Sequence, residues 1–266
     1  MTAHVIMIDG LNLIRRIYAV QERPFLLNNE LAENTKKQVL DNTLKACHAA
    51  LENILKQLNP THALVVFDSE QPCWRYDLFP DYKKGRKPMP THLAEKLSDI
   101  QDSFMSLGVD SLIPEADEAD DVIATLAIKV ALRCQQVTIV STDKVFLSML
   151  APYIHVYDYF NRRNLDETYV AEKFTVKANQ LIDFWTLTGD ATNKIPGVAG
   201  IGQITAAELL KEYHSLTGIL NAGDLKASMR KKLEESQENI KMSKKLLTLK
   251  TDISLGFNLQ DIRLSE

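Results

Sequence analysis

Val5-Ile6-Met7-Ile8-Asp9-Gly10 is the stretch on which the fold turns. Four apolar residues in unbroken succession suit a strand buried on both faces, as the central strands of a parallel sheet are. Two later runs repeat both the pattern and its ending. Ala63-Leu64-Val65-Val66-Phe67 stops at Asp68, and Val137-Thr138-Ile139-Val140 leads through Ser141-Thr142 to Asp143. Residues 109–113 and 154–159 are further strand candidates. Helical patterns separate them: 11–20, carrying Arg15 and Arg16; 35–58, with Val39, Leu44, Leu51 and Ile54 among its periodic apolar positions; and 91–107. The stretch 26–34 reads as polar and irregular. Strands alternating with helices predict an α/β fold, with a largely parallel central sheet and helices on both faces. In such sheets ligands bind beyond the carboxyl ends of the strands.

An aspartate at the end of one strand is usually a turn residue or a helix cap. Three such aspartates would meet at one sheet edge. A fourth strand leads there into Glu115-Ala116-Asp117-Glu118-Ala119-Asp120-Asp121, five carboxylates in seven positions, followed by an apolar helical run to about residue 132. On a helix, Asp117, Asp120 and Asp121 share a face. One reading is that acids suit a helix N-terminus, where the macrodipole favours them. The other is one wall of a hard-metal site, because carboxylates so close raise each other's pKa unless a cation compensates them. With no histidine or cysteine cluster nearby, magnesium or manganese suits the pocket better than zinc. Such an ion polarises a phosphoryl oxygen and promotes attack by water.

Residues 69–90 hold four prolines, Trp74, Tyr76 and the cluster Lys83-Lys84-Gly85-Arg86-Lys87, and read as a long, exposed, basic excursion. Excursions of this length are usually functional or disordered. Lys83 and Arg86, three apart, would share a helical face and stabilise charge on a phosphate; otherwise they are a solvated face. Pro196-Gly197-Val198-Ala199-Gly200-Ile201-Gly202 lies between the helical stretches 165–187 and 204–213. It lacks the glycine order and the preceding strand of a dinucleotide fingerprint. It is either a tight inter-helix turn or a place where backbone amides meet a phosphate at the next helix N-terminus, aided by Gln203 and Thr205. The tail 224–249 is helical and basic, with Arg230-Lys231-Lys232, Lys241, Lys244 and Lys245.

Composition narrows the classes. A formal net charge of −4 over 266 residues argues against coating nucleic acid by bulk charge but permits local basic patches. No apolar run reaches the roughly 18 residues of a membrane span, and no signal peptide is legible. Cys47, Cys73 and Cys134 show neither disulfide nor zinc spacing, which fits a cytoplasmic protein.

Taken together, Ile8-Asp9-Gly10, Phe67-Asp68, Asp81-Tyr82-Lys83-Lys84-Gly85-Arg86, Glu118-Ala119-Asp120-Asp121, Thr142-Asp143-Lys144 and Thr188-Gly189-Asp190 through Gly202 resemble the bacterial 5′-nuclease superfamily. That group includes the 5′-nuclease domain of DNA polymerase I, and the pattern is closest to the freestanding, exonuclease IX-like flap endonucleases. The resemblance implies a nuclease core over 1–175, a helical arch at about 83–106 and a helical DNA-binding region over 176–266. It implies magnesium-dependent cutting of 5′ single-stranded DNA flaps at duplex junctions in replication or repair, by a monomer without membrane contact. The implied catalytic residues are Asp9, Asp68, Lys83, Arg86, Glu118, Asp120, Asp121 and Asp143. Asp120 would hold magnesium, or manganese in its place, with help from Asp9, Asp68, Glu118 and Asp121. A potassium ion would sit mostly on backbone atoms of Leu187, Thr188, Pro196, Val198 and Ile201. A helix-three-turn-helix would grip the DNA backbone with Gly200, Ile201, Gly202, Gln203, Ile204 and Thr205.

The chain departs from the superfamily pattern twice. Asp-Lys-Asp becomes Asp143-Lys144-Val145, and Gly-Asp-x-x-Asp-Asn becomes Gly189-Asp190-Ala191-Thr192-Asn193-Lys194. Both lost carboxylates belong to the second metal site of relatives, so a second ion is expected through water or not at all. Two alternatives stay open: a catalytically weakened DNA-junction binding protein, and a small-molecule phosphatase on a similar sheet.

Overall fold

The computed structural model describes residues 3–25, 32–69 and 71–265; most of the irregular stretch expected at 26–34 falls outside them. Six strands form one sheet: β1 (His4–Asp9), β2 (His62–Val66), β3 (Asp110–Leu112), β4 (Gln136–Val140), β5 (Ile154–Asp158) and β6 (Arg163–Asn164). Their order is β3-β2-β1-β4-β5-β6, parallel throughout except for β6. Val5, Ile6, Met7 and Ile8 are wholly buried, because β1 is central and covered on both faces. Its side chains alternate between two apolar cores, as strand geometry requires. Val5 and Met7 join the core built on α6 (Ala119–Ala131), while Ile6 and Ile8 join the one built on α1 (Gly10–Glu22) and α2 (Glu33–Leu58).

The chain builds the sheet outward from β1 in one direction, then returns to place β4 on the other side of it. The strand order therefore reverses between β1 and β4, the place where open α/β sheets leave a crevice for ligands. Asp9 stands opposite Val66 and Ile8 opposite Val140. In this register Asp9, Asp68 and Asp143 all leave the sheet at the same edge.

α3 (Trp74–Leu78), α4 (Thr91–Ala94) and α5 (Leu97–Met105) lie between β2 and β3. After the sheet come α7 (Glu167–Phe174), α8 (Leu181–Thr188), α9 (Gln203–Tyr213), α10 (Leu216–Asn221), α11 (Ala227–Glu235) and α12 (Gln237–Leu247). Leu187, Leu210, Leu233 and Leu246 from this region share one continuous core with β1 and α6. Among the described residues no helix is long and apolar enough to cross a membrane.

Four local expectations need correction. Residues 69–90 are not exposed throughout: Cys73, Arg75 and Tyr82 are buried, while Gln71, Pro72, Tyr76, Asp77, Pro80, Asp81 and residues 84–88 are exposed. Residues 83–106 do not stand off the body as a helical arch. Leu93, Ile100 and Phe104 are wholly buried in the core beside α2, so α4 and α5 lie on the sheet layer, and 83–90 contains no helix. Lys83 (φ 55°) and Gly85 (φ 79°) are left-handed, so Lys83 and Arg86 do not share a helical face. Finally, α6 begins at Ala119, leaving Asp117 outside the helix and Glu118 at its N-cap.

Candidate active site

The sheet edge delivers four carboxylates to one cleft of about 280 Å³, lined by Asp9, Asp68, Asp120 and Asp143 together with cationic Arg15, Arg16, Lys83 and Arg86. Three of the acids also perform the bland role weighed from the sequence. Asp9 Oδ1 accepts from Asn12 N at 3.1 Å and caps α1; Asp68 Oδ1 accepts from Ala119 N at 3.0 Å and caps α6; Asp143 Oδ1 accepts from Val145 N at 3.0 Å. Capping fixes the orientation of each carboxylate. In Asp68 and Asp143 it leaves the second oxygen without a protein donor among the described residues. Asp9 Oδ2 accepts from Ser141 Oγ at 2.9 Å.

Asp120 is the member without a cap or a partner. Burial, then the carboxylates of Asp143, Asp9 and Asp68, push its carboxyl well above the usual range. Asp9 is pushed up to about 7, by burial first and by Asp68 and Asp143 after it. Four mutually repelling oxygen donors, none in a salt bridge among the described residues, fit a hard divalent ion even with Lys83 nearby. Among the described residues no three acidic, histidine or cysteine side chains are drawn together closely enough to enclose an ion by themselves.

Two expected ligands are corrected. Asp121 is wholly buried and turned away from the cleft. Its Oδ2 accepts from Arg75 Nη1 at 2.6 Å and its Oδ1 from Arg75 Nη2 at 2.8 Å; Trp74 Nε1 (3.2 Å) and the Lys250 amide (2.9 Å) complete its shell. One residue along a helix is a turn of about 100°, enough to separate Asp121 from Asp120. Glu118 does border the cleft, but its oxygens are taken by Arg75 Nη1 (2.7 Å), Tyr82 Oη (3.2 Å) and Lys83 Nζ. It presents Lys83 to the cleft, and each of its oxygens already has a cationic donor that an ion would have to displace or share. Burial alone would push the Lys83 ammonium down, but Glu118 and Asp120 outweigh it and keep the group charged. Lys83 is further held by its own amide, which donates to Asn193 O at 3.0 Å.

The pattern departures have a structural counterpart. Asp190 is buried, and Lys144 Nζ pairs with it at 2.7 Å; Asn193 Nδ2 donates to it at 2.9 Å. The remaining acid of that region is thus neutralised by the protein itself. Lys144 does this, whereas Lys194 is exposed and lies outside both pockets at the carboxylates.

Arg75 stands outside the sequence motifs, and Tyr82 and Lys144 stand inside them without a role of their own. For Arg75 the available signal was a cation flanked by Trp74 and Tyr76, which suits stacking; its guanidinium lies 4.4 Å from the Trp74 ring.

In the glycine loop, Gly197 is pressed against the end of α8. A Cβ there would lie 2.4 Å from Thr188 C and 2.5 Å from Gly189 N. Val198 N donates to Leu187 O at 2.8 Å, and Asp190 bridges to Ile195. α9 follows with Gly202 as its N-cap and no side-chain cap, so its first amides face outward. Ile204 is 78% exposed, while the Ile201 side chain is buried.

A carboxylate cleft at the switch point of a parallel sheet, flanked by fixed cations, defines a phosphoester-processing protein of the nuclease type. Residues 4–175 match the family model described as 5′-3′ exonuclease, N-terminal resolvase-like domain, and residues 176–266 match 5′-3′ exonuclease, C-terminal SAM fold. The chain belongs to the 5′-3′ exonuclease family and is a nuclease that hydrolyses phosphodiester bonds. It is similar to the flap endonuclease Xni of Colwellia psychrerythraea, with 64% identity over 100% of this chain and 93% of the relative. The flap endonuclease Xni of Photobacterium profundum is 47% identical over 99% and 98% of the two chains. The fold is that of a bacteriophage T5 flap endonuclease solved with DNA and metal ions: TM-score 0.71, 20% identity, 92% of this chain and 88% of that one.

Proposed function

We propose that this chain is a magnesium-dependent flap endonuclease that cuts 5′ single strands where they meet duplex DNA, acting as a cytoplasmic monomer in replication or repair. The observation that carries the reading is the cleft itself: Asp9, Asp68, Asp120 and Asp143 face it without protein cations of their own, beside Arg15, Arg16, Lys83 and Arg86. Bound at Asp120 and its neighbours, magnesium, or manganese in its place, would polarise the phosphoryl oxygen and lower the barrier to attack by water. Lys83, steadied by Glu118, meets the charge developing on the scissile phosphate, and Arg86 adds a second donor. Arg15 and Arg16 on α1 hold the adjoining backbone phosphates, contacts that position a strand without reading its bases.

The Lys144–Asp190 pair and the apolar Val145 support one strongly held divalent ion, with any second ion held through water. A potassium ion on the backbone of Leu187, Thr188, Pro196, Val198 and Ile201 fits the loop. The carbonyls of Leu187, Pro196 and Val198 each accept one protein hydrogen bond and keep a lone pair. Gly200 to Thr205 then lead into α9, whose first amides, from Gln203 on, would meet a duplex phosphate as a helix N-terminus does. Free cysteines, two of them buried, accord with a reducing compartment.

Cleavage mapping on a labelled 5′-flap duplex tests the reading. Magnesium-dependent cutting at the flap base is expected, with Asp120→Ala abolishing turnover and keeping junction binding. Undiminished cutting by Asp120→Ala would remove the mechanism. Junction binding without turnover across magnesium and manganese titrations would favour a catalytically silent junction binder, the reading that the neutralised Asp190 favours.

A further inference from the structure

Between α10 and α12 runs a groove of about 820 Å³ that none of the four cleft carboxylates lines. It shares Leu249 with the narrow pocket beneath the carboxylates. Its floor is apolar: Trp74, Leu216, Leu220, Ile240 and Leu249. Lys241, Lys244, Lys245 and Lys250 surround that floor, and no acidic side chain lines it. Lys241 leans on Glu238 at 2.8 Å, Lys244 on Asp183 at 3.0 Å and Lys250 on Asp117 at 2.8 Å. These lysines are 41 to 66% exposed, so their ammonium groups can also reach a visitor's carboxylates. Lys245 has no acidic partner among the described residues.

We propose that this groove docks an acidic, amphipathic segment of a partner protein, its apolar side chains on the Leu220–Ile240 floor and its carboxylates on the lysine rim. A single cationic rim enclosing an apolar floor is complementary to such a segment, which is read by anchors spaced along one helical face. A DNA strand fits less well. Phosphates gain nothing from the aliphatic floor, and Trp74 is not free to stack on a base: Arg75 covers its ring and its N–H is bound to Asp121. The surface is one residue from Arg75, which holds both Glu118 and Asp121. An occupant would therefore sit against the frame of the active site. The proposal does not depend on the nuclease reading.

The test uses the whole chain and a fluorescein-labelled peptide of about twelve residues, with Leu and Phe on one helical face and Asp and Glu on the other. Anisotropy should report saturable binding, weakened about tenfold or more by Leu220→Glu and separately by Lys245→Glu, with flap cleavage unchanged in both. Control peptides with the apolar face replaced by Ser, or the acids by Lys, should not bind. Two variants at exposed positions guard against misfolding, and circular dichroism checks each. Absence of binding, equal binding by the Ser peptide, or indifference to both variants would overturn the proposal. So would competition by duplex DNA whose own affinity falls in Leu220→Glu, since the groove would then be part of the DNA track.

Discussion

Asn substituted at Asp120 and at Asp121 should move the stability of the metal-free protein in opposite directions. Asp121 is wholly buried and accepts from both terminal nitrogens of Arg75, from Trp74 and from the Lys250 amide. Asp121→Asn removes the charge and turns an amide N–H toward one of those donors. Breaking a buried ion pair costs roughly 3–5 kcal/mol, and Glu118 still neutralises part of the Arg75 charge, so a loss of about 3 kcal/mol is expected. For a chain of this length that lowers Tm by roughly 6–12 °C. Asp120 has no donor and faces three like charges. Removing its charge relieves repulsion worth roughly 2 kcal/mol per like charge at about 8 Å and an effective dielectric near 20, offset in part by the lost attraction of Lys83, so Asp120→Asn should stabilise the metal-free fold.

Urea titration in chelator at pH 8 reads both changes, and flap cleavage in magnesium supplies the second axis. Asp120→Asn should be inactive. Asp121→Asn, assayed below its melting point, should keep the parent's magnesium half-saturation. Added magnesium should stabilise the parent and not Asp120→Asn, because an ion that binds only the folded state adds stability by mass action. A fully stable Asp121→Asn with weakened magnesium affinity would make Asp121 a ligand and refute the assignment. A destabilised Asp120→Asn in chelator would refute the repulsion argument.

Lys83→Met should lower the single-turnover cleavage rate by about 10²–10³ while leaving flap affinity within a few-fold, since it removes a donor aimed at developing charge; unchanged turnover would take Lys83 out of the mechanism. The Asp9 carboxyl, ordinarily near 3.8 and pushed up to about 7 by burial and its acidic neighbours, binds its proton more tightly in the folded chain than in the unfolded one. Metal-free stability should therefore fall as pH rises from about 4 to about 7 and level off above, with magnesium flattening the slope; denaturation in chelator showing a rise over that window would contradict it. Gly197→Ala drives a Cβ to within 2.7 Å of the Leu187 carbonyl and closer still to Thr188 and Gly189, whereas a Cβ at Gly202 meets nothing within 4 Å. Only the first should lower Tm, as thermal melts would show.

The strands and their terminal aspartates were legible because their signals are local. Val5 to Ile8 is apolar without interruption, and parallel pairing then sends Asp9, Asp68 and Asp143 to one edge. Arg75 was illegible because its burial depends on partners 43 and 46 positions away, Glu118 and Asp121, and no periodicity encodes that meeting. The basic, proline-rich composition of 69–90 pointed to solvent, yet Arg75 is 2% exposed. A charged residue goes so deep only when paired. The arch failed for the opposite reason. Leu93, Ile100 and Phe104 had helical spacing, and that same apolar face is what carries α4 and α5 down onto the body.

The acids of the region fall into two sets once their cations are assigned. Glu118 is held by Arg75 and Lys83, Asp121 by Arg75, and Asp190 by Lys144. Asp9, Asp68, Asp120 and Asp143 have no salt bridge among the described residues. Neutralised acids anchor or present other side chains, and their protein counterions would have to leave before a metal could enter. The uncompensated acids raise the free energy of the folded chain until a cation arrives, which is the condition that makes a binding site. Sequence spacing cannot perform this division, because Glu118, Asp120 and Asp121 are near neighbours in it. It is made by Arg75, which bonds Glu118 and Asp121 from another segment, and by Lys83, which bonds Glu118 and leaves Asp120 without a salt bridge.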